Sequence, residues 1–214
     1  MSKKIAIIFS TLAVILIVLG LFFRSQKQNM DQAQAKKAEG AEVVRAHSYA
    51  KGNLESNVTV VEFYDPECEA CKAFHPIVTD LMERYGAKIK FVVRPMALHS
   101  SSDMAIRLTY AAGKQGKFWE MFNLLFEKQD EWGHKQYPPL DLFMKYATQI
   151  GIDATKARAD MDLPEIREMM GMDMGDANML GVRGTPTFFI NGKPLETLSM
   201  QGLYDAIELA LSQK

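Results

Sequence analysis

The longest apolar stretch of the chain lies at its start. Residues 5–23 carry no charged side chain and consist mostly of Ile, Leu, Val, Ala and Phe. A helix of that length, at 1.5 Å per residue, spans about 28 Å, close to the roughly 30 Å hydrocarbon core of a bilayer. The pattern predicts one N-terminal transmembrane helix behind a short cytoplasmic tail, residues 1–4.

A cleaved signal peptide is the alternative for this stretch. Its apolar region is usually about 7–15 residues long and is followed by a small-x-small site. Here the run is longer, and the Ala-x-Ala sequence at residues 33–35 lies well beyond it. We therefore expect an uncleaved signal-anchor. Lysine and arginine residues flank the run on both sides, so charge alone does not decide the orientation.

Beyond the apolar run the pattern changes twice. Residues 24–42 are rich in Gln, Lys, Ala and Glu and predict a polar stalk. From residue 43 onward the chain is long enough for one domain with a substantial core. Strands are predicted at residues 58–64, 88–94 and 187–190, the last followed by an Asn191–Gly192 turn and a short return strand to Leu195.

Helical periodicity fills most of the remaining segments. Helices are predicted at residues 72–85, 100–112, 118–126, 141–150, 164–180 and 199–211. The strand–helix–strand beginning implies a right-handed parallel crossover. The expected fold class is α/β, with a small mixed sheet built from residues 43–98 and 181–214 and a helical insertion at residues 99–180.

Charge and cysteine content add two constraints. The formal net charge is −1 and no basic stripe interrupts the globular part, which argues against nucleic acid as a partner. The two cysteines of the chain, Cys68 and Cys71, lie between the first predicted strand and the first helix. A helix N-terminus favours a thiolate, and a Cys-x-x-Cys on such a turn can open and close as a disulfide. The pattern predicts redox exchange.

Two other interpretations of the cysteine pair are less favoured. An inert structural disulfide would gain little from closing so short a loop. A zinc site would need further ligands, and no second Cys or His pair has suitable spacing. We therefore expect no metal and no soluble cofactor, only a redox-active disulfide between Cys68 and Cys71.

Several segments resemble the DsbA-like thioredoxin-fold oxidoreductases. The stretch Val-Glu-Phe-Tyr-Asp-Pro-Glu-Cys-Glu-Ala-Cys at residues 61–71 is similar to their active-site segment, and residues 184–192 resemble their cis-proline loop and hairpin. Residues 94–99 and 113–120 resemble further landmarks in consistent order. The resemblance covers residues 43–211 and implies a thioredoxin-like fold and a protein thiol-disulfide oxidoreductase.

The order of the two cysteines predicts their roles. Cys68, at the start of the helix, is expected to form the mixed disulfide with the substrate, and Cys71, one turn in, to resolve it. The resemblance adds Glu62 as a buried carboxylate that passes a proton to or from Cys71. A strand-end residue that reaches solvent is the alternative for Glu62.

The resemblance also implies a cis peptide bond before Pro186, with an ordinary trans turn as the alternative. The backbone at Gly184 and Thr185 would then bind an extended substrate strand. Glu69 and Ala70, between the cysteines, are further substrate-contact candidates.

The Cys-Glu-Ala-Cys sequence departs from the Cys-Pro-His-Cys of the strongest oxidases, in which, the resemblance implies, the histidine stabilises the thiolate. Negative charge on Asp65, Glu67 and Glu69 is expected to raise the pKa of Cys68 toward the value of about 7 known for thioredoxin. That would make the dithiol a weaker oxidant.

Two histidines and a methionine cluster are further residues for which the sequence suggests roles. His75 is read as a helix-surface residue, with modulation of the thiols as the alternative. His99 is expected to cap or pack near the start of the next helix. The methionines at positions 161, 169, 170, 172, 174 and 179 suit flexible core filling or a pliable substrate surface, with a Cu(I) site as the alternative.

The sequence thus predicts a membrane-tethered enzyme that exchanges disulfides with reduced or unfolded secreted and envelope proteins, oxidation being the first choice. A membrane or periplasmic partner would reset its redox state. Because a tethered dithiol is most useful in an oxidising compartment, we place the domain at the periplasmic or outer face of a bacterial inner membrane. The alternatives are a disulfide reductase or isomerase, and a copper-binding metallochaperone.

Overall fold

The computed structural model describes residues 16, 19–27, 41–135, 137 and 139–213. The chain divides into two units, Met1–Gly40 and Ala41–Lys214, and residues 19–27 of the first are helical. No helix within the described residues has both the length and the apolar character needed to cross a bilayer. Most of the predicted anchor and stalk lies outside the described part of the chain, so both stay predictions.

The second unit is built around a five-stranded mixed sheet. Its strands are β1 (Tyr49–Gly52), β2 (Thr59–Tyr64), β3 (Lys90–Pro95), β4 (Thr187–Ile190) and β5 (Lys193–Pro194). They lie in the order β1-β3-β2-β4-β5. The β2 and β3 strands are parallel, as the crossover predicts, and the other pairs are antiparallel.

Strand β1 was not predicted from the sequence. Its four residues, Tyr-Ala-Lys-Gly, are too few to show alternation, and it forms only because β3 offers an unpaired edge. Tyr49 at its start stacks on Phe118, with ring centroids 3.7 Å apart. A Cβ at Gly113 would collide with the Tyr49 ring, so only glycine fits at the end of the neighbouring helix.

Helix α1 (Glu69–Tyr85) follows β2 and begins directly after Cys68. The remaining helices are α2 (Ser102–Gly113), α3 (Phe118–Glu127), α4 (Gln129–Trp132), α5 (Leu140–Gln149), α6 (Ala154–Asp160), α7 (Pro164–Met179) and α8 (Met200–Ser212). Helices α2 to α7 lie between β3 and β4, where the sequence predicts the insertion. The short α4 and α6 were not predicted, because four and seven residues are too few to show a helical period.

Apolar side chains from the two faces of the sheet enter separate clusters. One face packs against α1, α3 and α8, and the other packs against Ala177 of α7 and Val182 in the segment that follows this helix. The insertion has a core of its own around Trp132 and Phe143, which are fully buried. Residue Glu62 in the central strand therefore has apolar layers on both sides.

A buried ion network joins the sheet to α7. Arg94 on β3 is fully buried and donates hydrogen bonds to the carboxylates of Asp173 and Asp176, the latter over 2.7 Å. Its guanidinium also donates to the carbonyl oxygens of Glu42 and Val43, over 2.8 and 3.0 Å. The network thus joins the beginning of the domain to the last helix of the insertion.

Further donors surround the two aspartates of the network. Arg45 donates to both oxygens of Asp176, over 2.8 and 2.7 Å, and the Tyr110 hydroxyl donates to Asp173 over 2.8 Å. The His47 ring lies 3.0 Å from Asp173. Burial opposes ionisation of Asp176, but its arginine hydrogen bonds lower its pKa to about 2.

Candidate active site

Cys68 lies in the short connection between β2 and α1, directly before the first residue of the helix. Its backbone is extended (φ −73°, ψ 124°) and it is the N-cap residue, while its carbonyl already accepts the first helical hydrogen bond from Lys72 over 3.0 Å. The side chain of Cys68 is half-buried and that of Cys71, one turn in, is fully buried; both thiols are free. One sulfur is therefore accessible and the other lies behind it.

The pKa of Cys68 is lowered from 9.0 to about 5. The largest cause is a hydrogen bond from the Cys71 thiol; burial opposes the shift, while Thr185 and the backbone amides of Cys71 and Ala70 add to it. The buried Thr185 hydroxyl has no other hydrogen-bond partner among the described residues, so it is free to donate to the Cys68 thiolate. This pKa is lower than the value of about 7 that the sequence led us to expect.

The acidic residues fail to raise the pKa of Cys68 because two of them are turned inward. Asp65 is fully buried and accepts hydrogen bonds from Glu67 N, Ser102 Oγ, Leu98 N and His99 Nδ1, all within 2.9 Å. The Glu69 side chain is 84% exposed, so solvent screens its charge.

Glu67 is the second inward-facing carboxylate. It is fully buried and accepts from the backbone N–H groups of Ser101 and His134, each over 2.6 Å. Gln129, at the start of α4, donates to the carbonyl oxygens of Pro66 and Cys68 over 2.8 and 3.1 Å. The active-site turn, residues 65–68, is thus held by the helical insertion.

The loop before β4 lies against the dithiol. The Thr185–Pro186 peptide bond is cis, in agreement with the prediction. Cys68 Sγ lies 3.3 Å from the Thr185 carbonyl oxygen, to which it donates in its thiol form, and Thr187 Oγ1 donates to the Gly184 carbonyl over 2.7 Å. A Cβ built at Gly184 would meet no atom within 4 Å, so this side of the loop is open.

Glu62 lies beneath the dithiol in the central strand and is only 3% exposed. The alternative of a strand-end residue that reaches solvent is therefore wrong. Burial raises the pKa of Glu62 to about 8; Lys51 opposes the shift and Cys68 adds to it. Burial, the hydrogen bond to Cys68 and the charge of Glu62 together raise the pKa of Cys71 far above its ordinary value.

Lys51 on β1 is a site residue that the sequence did not reveal. Its Nζ lies 4.5 Å from the centroid of the Trp119 ring. Burial lowers the pKa of Lys51, and the charge of Glu62 opposes that shift. A lysine in an unpredicted four-residue strand gave no signal that it would face a carboxylate in β2.

The two histidines agree with their predicted positions only in part. His75 is packed on Phe126, with ring centroids 4.9 Å apart, and burial and then the charge of Lys51 lower its pKa to about 4. It is not a simple surface residue. His99 was expected to cap or to pack near the start of α2. No side chain caps this helix, but the His99 ring packs three residues before it, against Asp65 and His134.

The methionine cluster separates in the structure. Met161 is buried in the core of the insertion, Met169 and Met170 pack against one face of the sheet, and Met174 packs toward the other. Within the described residues, no group of three or more His, Cys, Asp or Glu side chains could hold a metal ion. These positions agree with core filling.

Comparison with known proteins identifies relatives in sequence. The family model described as thioredoxin matches residues 45–208. The Na⁺/H⁺ antiporter NhaA of Herminiimonas arsenicoxydans is 30% identical over 158 residues, covering 74% of this chain and 24% of the antiporter. NhaA 3 of Salinispora tropica is 35% identical over 148 residues, covering 68% and 22%. The chain spans about a quarter of the length of these curated relatives.

Solved structures share the same fold. A thioredoxin-like oxidoreductase from Silicibacter pomeroyi superposes with a TM-score of 0.67 at 28% identity, covering 78% of this chain and 94% of that one. BdbD from Bacillus subtilis superposes with a TM-score of 0.69 at 23% identity, covering 77% of this chain and 93% of BdbD. The α-DsbA1 protein from Wolbachia pipientis superposes with a TM-score of 0.72 at 18% identity, covering 79% of this chain and 94% of α-DsbA1.

Proposed function

The chain belongs to the thioredoxin family and has the fold of the DsbA-type thiol-disulfide oxidoreductases, and from this we propose that it oxidises protein thiols through Cys68 and Cys71. The observation that carries the proposal is the placement of Cys68. Its sulfur is half-buried at a helix N-terminus, 3.3 Å from the Thr185 carbonyl, with Cys71 buried behind it.

In the oxidising direction a substrate thiolate attacks Cys68 Sγ of the disulfide. The Cys68–Cys71 bond breaks, and Cys71 leaves as a thiolate that takes a proton because its pKa is raised. A second substrate thiolate then attacks the substrate sulfur of the mixed disulfide, and Cys68 leaves as a thiolate. The substrate loses two electrons as its disulfide forms, and the dithiol of the enzyme gains them.

Glu62 supports the first of these steps. Its pKa of about 8 leaves it largely protonated at neutral pH, so it can supply the proton that Cys71 needs when the disulfide opens. In the reverse direction the same carboxylate, once ionised, accepts a proton from Cys71.

The pKa of Cys68 favours oxidation over reduction. A thiolate stabilised to a pKa of about 5 makes the reduced dithiol more stable, and a more stable reduced form makes the disulfide a stronger oxidant. This reverses the inference drawn from the acidic residues, which pointed to a weaker oxidant.

The substrates and location remain part of the proposal. The Cys68–Thr185 pair would receive an extended segment of a reduced secreted or envelope protein, with Gly184, Glu69 and Ala70 around it. The apolar run at residues 5–23 would tether the domain to the bacterial inner membrane, facing the periplasm or exterior. A membrane or periplasmic partner would reoxidise the dithiol. Carbonate extraction and protease accessibility of intact spheroplasts test the tether and the orientation.

A metallochaperone is the weaker candidate. The methionines pack into separate clusters, and a copper carrier would have to use the dithiol alone. Tight Cu(I) binding without any disulfide exchange would favour it over the enzyme.

A trapping variant tests the exchange chemistry. Cys71→Ser leaves Cys68 able to form a mixed disulfide but removes the thiol that resolves it, so protein adducts that disappear on reduction should accumulate. Cys68→Ser is the matched control and should trap nothing through the remaining sulfur, which is fully buried. If Cys71→Ser captures no protein through a reducible bond, the proposed function is wrong.

The direction of electron flow has its own test. Alkylation of the thiols in intact cells separates the oxidised form from the reduced form on a gel. An oxidase should rest mainly as the Cys68–Cys71 disulfide, whereas a resting dithiol would support reduction.

A further inference from the structure

Two histidines from the insertion side lie beside the turn that carries Cys68. His99 is on the loop between β3 and α2, and His134 is on the loop after α4. Their rings meet edge to face with centroids 5.8 Å apart. His134 Nε2 is 3.5 Å from the carboxylate of Glu69. Neither histidine belongs to the Cys-Glu-Ala-Cys sequence, which supplies no positive charge of its own.

His99 is bound to the active-site turn through its ring, whereas His134 is bound to it through its backbone N–H, which donates to Glu67. His99 Nδ1 lies 2.9 Å from Asp65 Oδ2, and the backbone N–H of Cys68 donates to the carbonyl oxygen of the same Asp65 over 3.1 Å. An ionised carboxylate only accepts hydrogen bonds, so Nδ1 carries a proton and the ring orientation is fixed. A second proton on Nε2 makes the ring a cation.

The surroundings of His99 favour that cation. Burial opposes it, but the hydrogen bond and charge of Asp65 and the negative charges of Cys68 and Glu67 raise the pKa of His99. The charged and titratable groups that act on or contact the ring are Asp65, Glu67, Cys68 and His134, and Glu69 lies beside His134. An interaction in which the thiolate stabilises the imidazolium is reciprocal, so the imidazolium stabilises the thiolate equally.

We propose that His99, held by Asp65, is a positioning residue whose positive charge stabilises the Cys68 thiolate, in place of a histidine within the turn. When Cys68 leaves a mixed disulfide with the electron pair of the broken S–S bond, the imidazolium stabilises it without giving up its proton. The oxidising strength of the site then falls as rising pH removes the charge from His99. This inference deepens the proposed function and rests on it.

The unmodified protein supplies the first test. The pKa of His99, followed by NMR in the reduced and the disulfide forms, should be higher in the reduced form by about 1 unit, because only that form carries the thiolate. The chemical shifts of His47, which is bound to Asp173 in the ion network, serve as the internal reference. An equal His99 pKa in the two forms would overturn the proposal.

Charge substitutions at position 99 supply the second test. In His99→Gln, ultraviolet titration of the thiolate should give a Cys68 pKa about 1 unit higher than in the parent. His99→Lys retains a cation and should restore most of the shift. His134→Gln is the matched control and should change the Cys68 pKa less. A rise in His134→Gln as large as in His99→Gln would contradict the assignment.

The inference and the proposed function can fail separately. Normal trapping by Cys71→Ser combined with an unchanged Cys68 pKa in His99→Gln would remove the role of His99 and leave the exchange activity. A shifted Cys68 pKa without any trapped protein would support the charge coupling and overturn the function on which its biological meaning rests.

Discussion

At the scale of single residues, the side-chain direction decides what each acidic group does. Asp65 and Glu67 both precede Cys68, yet their carboxylates accept hydrogen bonds from backbone and hydroxyl donors of the insertion. A carboxylate that accepts these hydrogen bonds holds the turn in place, and its negative charge then has little effect on the Cys68 sulfur. Sequence position gave their distance along the chain but not their orientation, and so the size of the lowering of the Cys68 pKa was underestimated.

Glu62 gives a residue-scale prediction about stability. Its folded pKa of about 8 lies above the ordinary 4.5, so the folded protein binds this proton more tightly, and stability falls as pH rises from 4.5 to 8. Glu62→Gln removes that penalty. With the thiols reduced, the free energy of unfolding of the variant should equal that of the parent near pH 4.5. Near pH 8.5 it should be larger by roughly 2–4 kcal/mol.

Urea unfolding of the reduced proteins at both pH values measures this difference. The exposed Glu55→Gln is the control and should follow the parent at both. A Glu62→Gln variant whose advantage does not grow with pH would show that Glu62 is not held in its neutral form.

At the scale of elements, the insertion forms one wall of the active site. Helix α4, only four residues long, places Gln129 so that its amide donates to the carbonyls of Pro66 and Cys68. Strand β1 also positions a polar group, because it places Lys51 close enough to Glu62 for their charges to interact. Both elements are short and have no periodic signal, so neither was predicted, although each positions a polar group at the dithiol.

Gln129→Ala tests the contribution of α4. Because two hydrogen bonds to the turn would be lost, we expect destabilisation of about 1–3 kcal/mol and faster amide exchange in residues 65–72. Hydrogen exchange followed by mass spectrometry measures the effect. Gln115→Ala, at an exposed site bonded to Asp153, is the control. Unchanged exchange at the turn in Gln129→Ala would mean that α4 does not hold it.

The longer elements were predicted well because their signals are local. The β2 and β3 strands are short runs rich in Val and Phe, and helix α1 and the helix at positions 118–127 have apolar residues at helical spacing. The cis bond before Pro186 came from resemblance alone, since spacing does not distinguish cis from trans.

At the scale of the whole molecule, the Arg94 network joins the start of the domain, the sheet and α7. It was missed because its charges are far apart in sequence, and only the fold brings Arg94, Asp173 and Asp176 together. Buried charges of this kind depend on one another, because removal of one partner leaves the other uncompensated.

Asp176→Asn should therefore destabilise the protein by about 3 kcal/mol at pH 7. Since the folded pKa of Asp176 is lowered to about 2 from 3.8, its contribution is present above pH 3.8 and is lost as pH falls through 2. The difference in the free energy of unfolding between parent and variant, measured by thermal or urea unfolding, should become smaller as the pH falls from 3.8 to 2.

The surface pair Asp103–Arg107 provides the comparison. Asp103→Asn should cost less than about 1 kcal/mol, because solvent screens an exposed ion pair. If the two variants are equally stable at pH 7, the buried network contributes no more than a surface pair.

The turn that carries Cys68 takes most of its side-chain hydrogen bonds from the insertion and few from the sheet beneath it. The reduction potential of the dithiol thus depends on two separate segments of the chain, the one that carries the cysteines and the helical insertion. Recombination could exchange one of these segments without the other. A chimaera that keeps this sheet and its cysteines but receives the helical block of a distant relative should inherit a reduction potential closer to that of the donor.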